Sequence, residues 1–398
     1  MSARRILFVE ASTGGVVGGS LTGILHLIPR LDRARFAPVL SLFEEKKGID
    51  TDGGFPVHVL PPLPRRGAAA SPGLIPRALR HAGNLYATLG SRARALARLY
   101  RRERPDLVYL SNGFGAQLDG VAAAKLCRLP VVCHEKGFEH FGPLARLVSR
   151  WMDACICMTE EIEAHCRGQH LRPRRLLTIF DGIDCAAFAP GGGGAVRREF
   201  GIPADVPLVG IVGHIQDWKG QHLVVDAVAR ARRHFPALRC LIVGGVHRRG
   251  VEYARRLRER IAALDLTEHV ILTGAREDVA ACLDAMDVVI HASVVAEPFG
   301  RVLIEAMALG RPVIAPREGG PLVIVVDGET GLLVPPRDAD ALGEALTELL
   351  ADPDRRAAMG RAGRARVDAL FDIRHHVRAI EALFDEILGD RPVLATVA

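Results

Sequence analysis

Glu297-Pro298-Phe299-Gly300-Arg301-Val302-Leu303-Ile304-Glu305 is the stretch on which the reading of this chain turns. The apolar run Val288 to Val295 precedes it, and Ala306 to Leu309 follow before Gly310. That pattern predicts a strand, a short loop and a helix, with Pro298 in the first helical turn and Gly310 as C-terminal cap. One carboxylate then stands in the loop and the other in the second turn, both beside the free amides of a helix N-terminus, which favour anions. This is a binding-site geometry; its alternative is a surface acid beside an N-capping acid.

Further loops of the same kind surround it. Strands are expected at Leu208 to Val212, Cys240 to Val243, Val270 to Leu272, Val288 to His291, Val313 to Ile314 and Gly331 to Val334. Helices fall between them, including Gln221 to His234, Val251 to Leu264 and Glu277 to Met286. Short apolar strands alternating with helices argue for a parallel sheet covered on both faces. The strands end in Gly213-His214 with Lys219-Gly220, Gly244-Gly245, Thr273-Gly274-Ala275-Arg276, Ser293 before Glu297, and Gly319-Gly320. Each is an ordinary turn alone, and Lys219 alone reads as a surface lysine. Their recurrence matters, because one crevice at the strands' carboxyl ends collects all of them.

The first half repeats the alternation, from Ile6 to Glu10 through a helix at Ser20 to Leu31 and later strands as far as Leu177 to Phe180. Its first strand leads into Gly14-Gly15-Val16-Val17-Gly18-Gly19, where glycines let the backbone approach a ligand at a helix start. The spacing does not fit Gly-x-Gly-x-x-Gly, which weakens a dinucleotide reading. Gly191 to Gly194 is the most flexible connector, and the domain boundary is placed there. The expected organisation is α/β: a Rossmann-like domain at 1–190, a second at 191–370, and a C-terminal helix at 371–398 packing back toward the first. The two doubly wound parallel sheets are expected to face a central cleft. The last helix, Ile373 to Leu388, carries the stripe Val377, Ile380, Leu383, Phe384 and Ile387.

Composition narrows the classes. With 398 residues and 49% apolar content the chain exceeds one hydrophobic core, and 5% aromatics suits aliphatic α/β layers. The eight cysteines show no Cys-x-x-Cys and no zinc spacing, so they read as buried thiols. No run approaches the ~18 apolar residues of a spanning helix, and the short strand Ile6 to Val9 is no signal-peptide core; a cytoplasmic protein is expected. Between Arg65 and Arg104 stand ten arginines against one acid, Glu103. Leu85, Leu89, Leu96 and Leu99 recur at helical spacing, with Arg94, Arg98, Arg101 and Arg102 largely off that stripe. This is either a solvated face or a docking surface for anionic headgroups at the inner face of the membrane. Nucleic acid is not expected, since no recognition motif accompanies the arginines.

From Leu208 to Leu388 the order and spacing resemble the nucleotide-sugar-binding domain of retaining glycosyltransferases of family 4, which have the GT-B architecture. The matching residues are Gly213 with Lys219-Gly220, Thr273-Gly274 with Arg276, Glu297-Pro298-Phe299-Gly300 with Glu305 to Ala308 and Gly310, Pro312 to Ala315, Gly319-Gly320, and Asp327-Gly328 with Thr330 to Val334. In the first half the likeness rests on Gly14 to Gly19 and on Asp181 to Asp184. The resemblance implies metal-independent transfer, without a cofactor, of a sugar from a nucleoside-diphosphate sugar to a glycan, lipid-linked or other hydroxyl acceptor. Cell-surface polysaccharide or glycolipid synthesis is the expected setting. It implies that Glu297 holds donor-sugar hydroxyls, Glu305 the ribose and Lys219 the diphosphate. Gly14, Gly15, Gly18, Gly19, Gly213, His214, Gly244, Gly274, Arg276, Phe299, Gly300 and Arg301 would line the donor.

The chain also departs from the family pattern. His214 stands where the family usually has arginine, leaving phosphate neutralisation to a protonated histidine, Arg301 or Arg317. Val323 replaces a frequent acid. The acceptor-side histidine has no counterpart after Val108; His134 is either that group or a core histidine. A related epimerase or phosphorylase, or a non-catalytic nucleotide-sugar-binding subunit, are the alternatives.

Overall fold

The computed structural model describes residues 3–11, 19–44, 54–60 and 77–389. Among the expected site residues, Gly14, Gly15 and Gly18 lie outside these, as do Arg65 and Arg66 of the basic stretch. The chain forms two compact units, one of Met1–Phe180 with Arg374–Ala398 and one of Asp181–Ile373.

The first unit runs β1 (Arg4–Glu10), α1 (Gly19–Leu27), β2 (Phe36–Leu42), β3 (Val57–Val59), α2 (Arg77–Glu103), β4 (Leu107–Leu110), α3 (Leu118–Cys127), β5 (Val131–Glu135), α4 (Pro143–Val148), β6 (Ala154–Cys157), α5 (Glu160–Gly168) and β7 (Leu176–Thr178). Its seven strands lie in the order β3-β2-β1-β4-β5-β6-β7, with parallel pairing throughout. Helix α1 stops at Leu27, short of the expected Leu31, and passes into a 3-10 turn at Ile28–Arg30. Pro29 causes this, because it has no N–H for an α-helical bond and its ring crowds the preceding turn.

The second unit runs α6 (Gly193–Glu199), β8 (Leu208–Val212), α7 (Gln221–Ala231), β9 (Arg239–Val243), α8 (Val251–Ala263), β10 (Val270–Gly274), α9 (Val279–Ala285), β11 (Val288–Ile290), α10 (Arg301–Ala308), β12 (Val313–Pro316), α11 (Pro321–Ile324), β13 (Gly331–Val334), α12 (Ala339–Ala351) and α13 (Pro353–Leu370). The strand order is β10-β9-β8-β11-β12-β13, again all parallel. Val209, Ile242, Val288, Ile290 and Ile314 of the sheet pack with Val224, Val228, Leu257, Leu346 and Leu349 of the covering helices. Sheets buried on both faces read as continuous aliphatic runs, and this is why the strands were visible in the sequence. In both sheets the winding reverses, between β1 and β4 and between β8 and β11. Such a switch point opens the crevice in which open α/β sheets bind ligands.

The last helix, α14 (Ile373–Leu388), carries its apolar stripe into the first unit. Phe384 is fully buried there, its ring 5.7 Å from Phe36, 6.0 Å from Tyr109 and 6.4 Å from Phe8. Glu381 accepts the Asp32 amide at 2.7 Å and the Arg35 guanidinium at 3.2 Å.

The glycine run is not where the units divide. Gly191 and Gly193 donate their amides to Asp284 Oδ2, each at 2.8 Å, and Gly193 opens α6 inside the second unit. Arg311 also reaches Asp284 at 2.6 Å. A run that composition marks as a free linker is therefore pinned by a carboxylate about ninety residues on. All eight cysteines are free thiols, seven of them buried.

Candidate functional site

The crevice loops of the second unit lie at the switch between β8 and β11. Past β8, Gly213 donates to the Val243 carbonyl at 2.9 Å, and Gly244 donates to that of Gly274 at 2.9 Å. The loops after β8, β9 and β10 are thereby laced side by side. After His214 a 3-10 turn, Asp217–Lys219, leads to Gly220 and α7. Gly220 has φ +69°, and a Cβ there would meet the Ala292 carbonyl oxygen at 1.9 Å. Only glycine lets the lysine turn lie so close to the loop after β11, and the Val294 amide seals the approach by donating to the Trp218 carbonyl at 2.8 Å.

That approach creates the central contact. Lys219 Nζ donates to Glu297 Oε2 at 2.8 Å, with both side chains about 15% exposed. The ammonium also lies 3.9 Å from the centre of the Trp218 ring. Ser293 Oγ donates to the same carboxylate oxygen at 3.0 Å, and His291 Nε2 lies 3.6 Å from it. Burial alone would raise the Glu297 carboxyl, but the Lys219 ammonium and the Ser293 bond together hold it below the usual range. Burial outweighs Glu297 at His291, pulling its pKa down to about 4, so this imidazole is neutral.

Between Glu297 and Glu305 the helix starts later than the sequence pattern predicts. Helix α10 begins at Arg301, and Pro298 belongs to the loop before it. Gly300, at φ +102°, caps the helix and breaks any earlier helical turn. The Phe299 ring is buried 5.9 Å from Phe371 and packs into the core, so it is the backbone at this position that borders the loop. Gly320 packs against that backbone: its amide donates to the Glu297 carbonyl at 2.7 Å, and a Cβ would sit 2.0 Å from the Phe299 carbonyl. Glu305 comes in the second turn, as expected, with its oxygen 3.7 Å from Arg301. Burial raises its carboxyl, and Arg301 offsets this only in part. Arg301 Nη1 is buried without a hydrogen-bond partner, so this guanidinium keeps unused donor capacity beside the crevice.

Two expected cations are already occupied. Arg276 grips Glu199 through both carboxylate oxygens at 2.5 and 2.8 Å and Asp278 at 2.7 and 2.8 Å. All three of its guanidinium nitrogens are engaged in tying the β10 loop to the end of α6. Arg317 pairs with Asp327 and donates to the Leu333 carbonyl at 2.9 Å.

In the first unit Gly19 starts α1. His134 lies on β5, 2% exposed, with Nδ1 2.7 Å from Tyr109 Oη and its ring stacked on His376 at 6.1 Å. The acceptor-side role expected of it does not suit this placement: the imidazole packs against α14 as a core histidine. Its neighbour Glu135 is more unusual. Its carboxyl accepts the amides of Phe114 at 2.8 Å and Lys136 at 3.2 Å, yet burial, helped by Glu139, pushes its pKa up from 4.5 to about 7. The folded chain then holds this proton more tightly than the unfolded chain, so the contribution of this group to stability is full below about pH 4.5 and is lost as pH rises through 7. The gap corresponds to about 3 kcal/mol. Thermal unfolding of Glu135→Gln at pH 5 and pH 8 is expected to show a smaller fall between the two than wild type; parallel falls would refute the assignment.

Sequence reasoning singled out Glu297, Lys219 and Glu305 but missed His291 and Trp218, which complete the cluster. The apolar run places His291 at the end of a strand, and the signal for its role is its position two residues before Ser293, on the same side of the extended chain.

Two doubly wound parallel units in one chain, the second with an acid–lysine pair at its switch point, define the GT-B class of glycosyltransferase fold. The chain is similar along nearly its whole length to Anabaena HepE, solved in complex with UDP and glucose: TM-score 0.79 at 24% identity, covering 96% of this chain and 100% of that one. A glycosyltransferase from Rickettsia africae gives TM-score 0.83 at 19% identity, over 98% and 100% of the two chains. Residues 17–187 match the Glycosyltransferase Family 4 model and residues 195–366 the model for Glycosyl transferases group 1, and the chain belongs to this family. Among curated proteins it is similar to the D-inositol 3-phosphate glycosyltransferases of Corynebacterium urealyticum, 37% identical over 199 residues, and Mycobacteroides abscessus, 39% identical over 197. Each match takes in 48% of this chain, which spans about half the length of these relatives, 47% and 43% respectively.

Proposed function

We propose that this chain transfers a sugar from a nucleoside-diphosphate sugar to a hydroxyl acceptor, with retention at the anomeric carbon and without a metal. The observation that carries the reading is the Lys219–Glu297 pair at the β8/β11 switch point. HepE, of the same fold, has been solved with UDP and with UDP-glucose, which supports the donor class. In this reading Glu297 holds donor-sugar hydroxyls, Glu305 the ribose, and Lys219 the diphosphate. The leaving diphosphate gains charge as the glycosidic bond breaks, and a fixed ammonium stabilises that charge most where water is scarce. His214 stands where the resemblance usually has arginine, and the unpartnered Nη1 of Arg301 makes Arg301 the second phosphate cation. Arg276 is left as a structural clamp, and His134 receives no role.

The test is a thermal-shift panel across UDP-, GDP- and ADP-sugars, followed by transfer assays with the stabilising donor. A bound ligand raises the melting temperature by mass action. Release of nucleoside diphosphate only in the presence of an acceptor is expected. Turnover of the sugar without that release would favour an epimerase, and binding with no turnover for any acceptor would favour a non-catalytic subunit.

The acceptor we assign is a glycan or lipid-linked hydroxyl at an anionic membrane surface, reached through α2. Arg94, Arg98 and Arg101 are exposed there, while Leu96, Leu99 and Tyr100 are buried. Arg92 is taken by Asp119 at 2.5 Å and Arg102 by Glu103 at 2.8 Å. Among the described residues no helix is long and apolar enough to cross a membrane. At about 1 kcal/mol per arginine near an anionic surface, replacing Arg94, Arg98 and Arg101 together by glutamine is expected to weaken flotation with phosphatidylglycerol vesicles on the order of 100-fold. Unchanged flotation would remove the membrane assignment and leave the donor reading intact.

A further inference from the structure

His291 has no assigned part in the donor site, and its surroundings give it one. It is 4% exposed at the end of β11, and its Nε2 is buried with no hydrogen-bond partner. That atom points at Glu297 Oε2 from 3.6 Å, just beyond hydrogen-bonding length. An unmade bond at a buried polar atom is penalised, and it calls for a state in which the bond forms.

Resting on the donor reading above, that state can be identified. Lys219 and Ser293 both bond Oε2 in the free chain, which leaves Oε1 for a sugar hydroxyl. A bound diphosphate competes for the same ammonium, and whatever share of Lys219 it takes is lost to a carboxylate that burial already penalises. We propose that His291 is a positioning residue: as Lys219 turns to the diphosphate, His291 Nε2–H takes its place on Glu297 Oε2 and keeps Oε1 aimed at the donor sugar. The imidazole suits this handover because it is neutral. In the tautomer protonated on Nε2 it donates one hydrogen bond without adding a second cation that would compete with Lys219 for the phosphates.

The proposal separates the sugar from the diphosphate. Calorimetric titration of the full chain with UDP, GDP and ADP, and with UDP-glucose, GDP-mannose and ADP-glucose, identifies the preferred pair. For that pair, His291→Leu is expected to raise Kd for the bare diphosphate only severalfold, because Glu297 Oε2 then gives up Lys219 without a replacement, and for the diphosphate sugar at least tenfold more than that, because Oε1 also loses its aim at the sugar. His291→Gln, whose amide N–H reaches about as far as Nε2, should stay within threefold of wild type for both. If the leucine variant does not fold, His291→Asn, with a shorter reach, should show the same sugar-selective loss. Equal loss for both ligands, no loss for either, or a glutamine variant as damaged as leucine would overturn the proposal while leaving the donor reading standing. A wild-type chain that binds none of the six probes would instead sink the donor reading, and this inference with it.

Discussion

Lys219→Met is expected to lower the turnover number for sugar transfer by about 10² to 10³, the usual loss when one donor to a developing negative charge is removed. The same change has a second consequence, because Lys219 also neutralises a mostly buried carboxylate in the free chain. Removing one partner of such a pair leaves the other uncompensated, at a cost of about 3 kcal/mol. Adding Glu297→Gln to Lys219→Met should therefore recover most of the lost melting temperature while recovering no activity. Transfer assays and thermal unfolding on the three proteins check this. Activity that returned along with stability would mean that Lys219 only props up the loop and does not act on the diphosphate.

Gly220→Ala is expected to damage the site severely for the addition of a single methyl. Alanine at φ +69° is strained by about 1 kcal/mol, and the added Cβ would press on the Ala292 carbonyl, backbone that cannot swing away. A total loss of about 3 kcal/mol or more follows, and the lysine turn must retreat from the Glu297 loop. Affinity for diphosphate and diphosphate sugar should fall together, unlike the sugar-selective loss at His291. Gly274→Ala provides the comparison. It shares a positive φ, +75°, but has nothing within 4 Å of the new methyl, so only the conformational cost of about 1 kcal/mol is expected. Denaturant unfolding and nucleotide titration of both variants test the contrast; equal effects would show that backbone strain, and not the close approach, is what glycine relieves at 220.

The parts of this site that were legible in the sequence depend on local pattern. Aliphatic runs such as Leu208 to Val212 mark strands because both faces of the sheet are covered, and repeated loops mark the crevice edge. Partners that come from far along the chain leave no such mark. The glycine run looked like a linker because its composition says nothing of Asp284. Arg276 has a local partner in Asp278, but nothing near it in the chain announces the second acid that completes its clamp, Glu199, 77 positions away. His134 gave no sign that His376 would stack on it. Local pattern also fails between Glu297 and Glu305: Pro298 is a good first helical residue, but Gly300 in a left-handed conformation overrides that preference and delays the helix to Arg301.

The route of the chain through its two units has a consequence for how the protein is made. Phe384 completes the packing around Phe8, Phe36 and Tyr109, yet it is translated only after the whole of the second unit. At 5–20 residues per second, the roughly 200 residues between the two parts of the first unit take ~10–40 s to synthesise. During that interval the first sheet has its strands but not the helix that closes one face, so an apolar surface stays open on the ribosome. The second unit, contiguous from Asp181 to Ile373, has no such wait. The half of the protein begun first is thus the half finished last, and it is the one that would draw on chaperones while it waits.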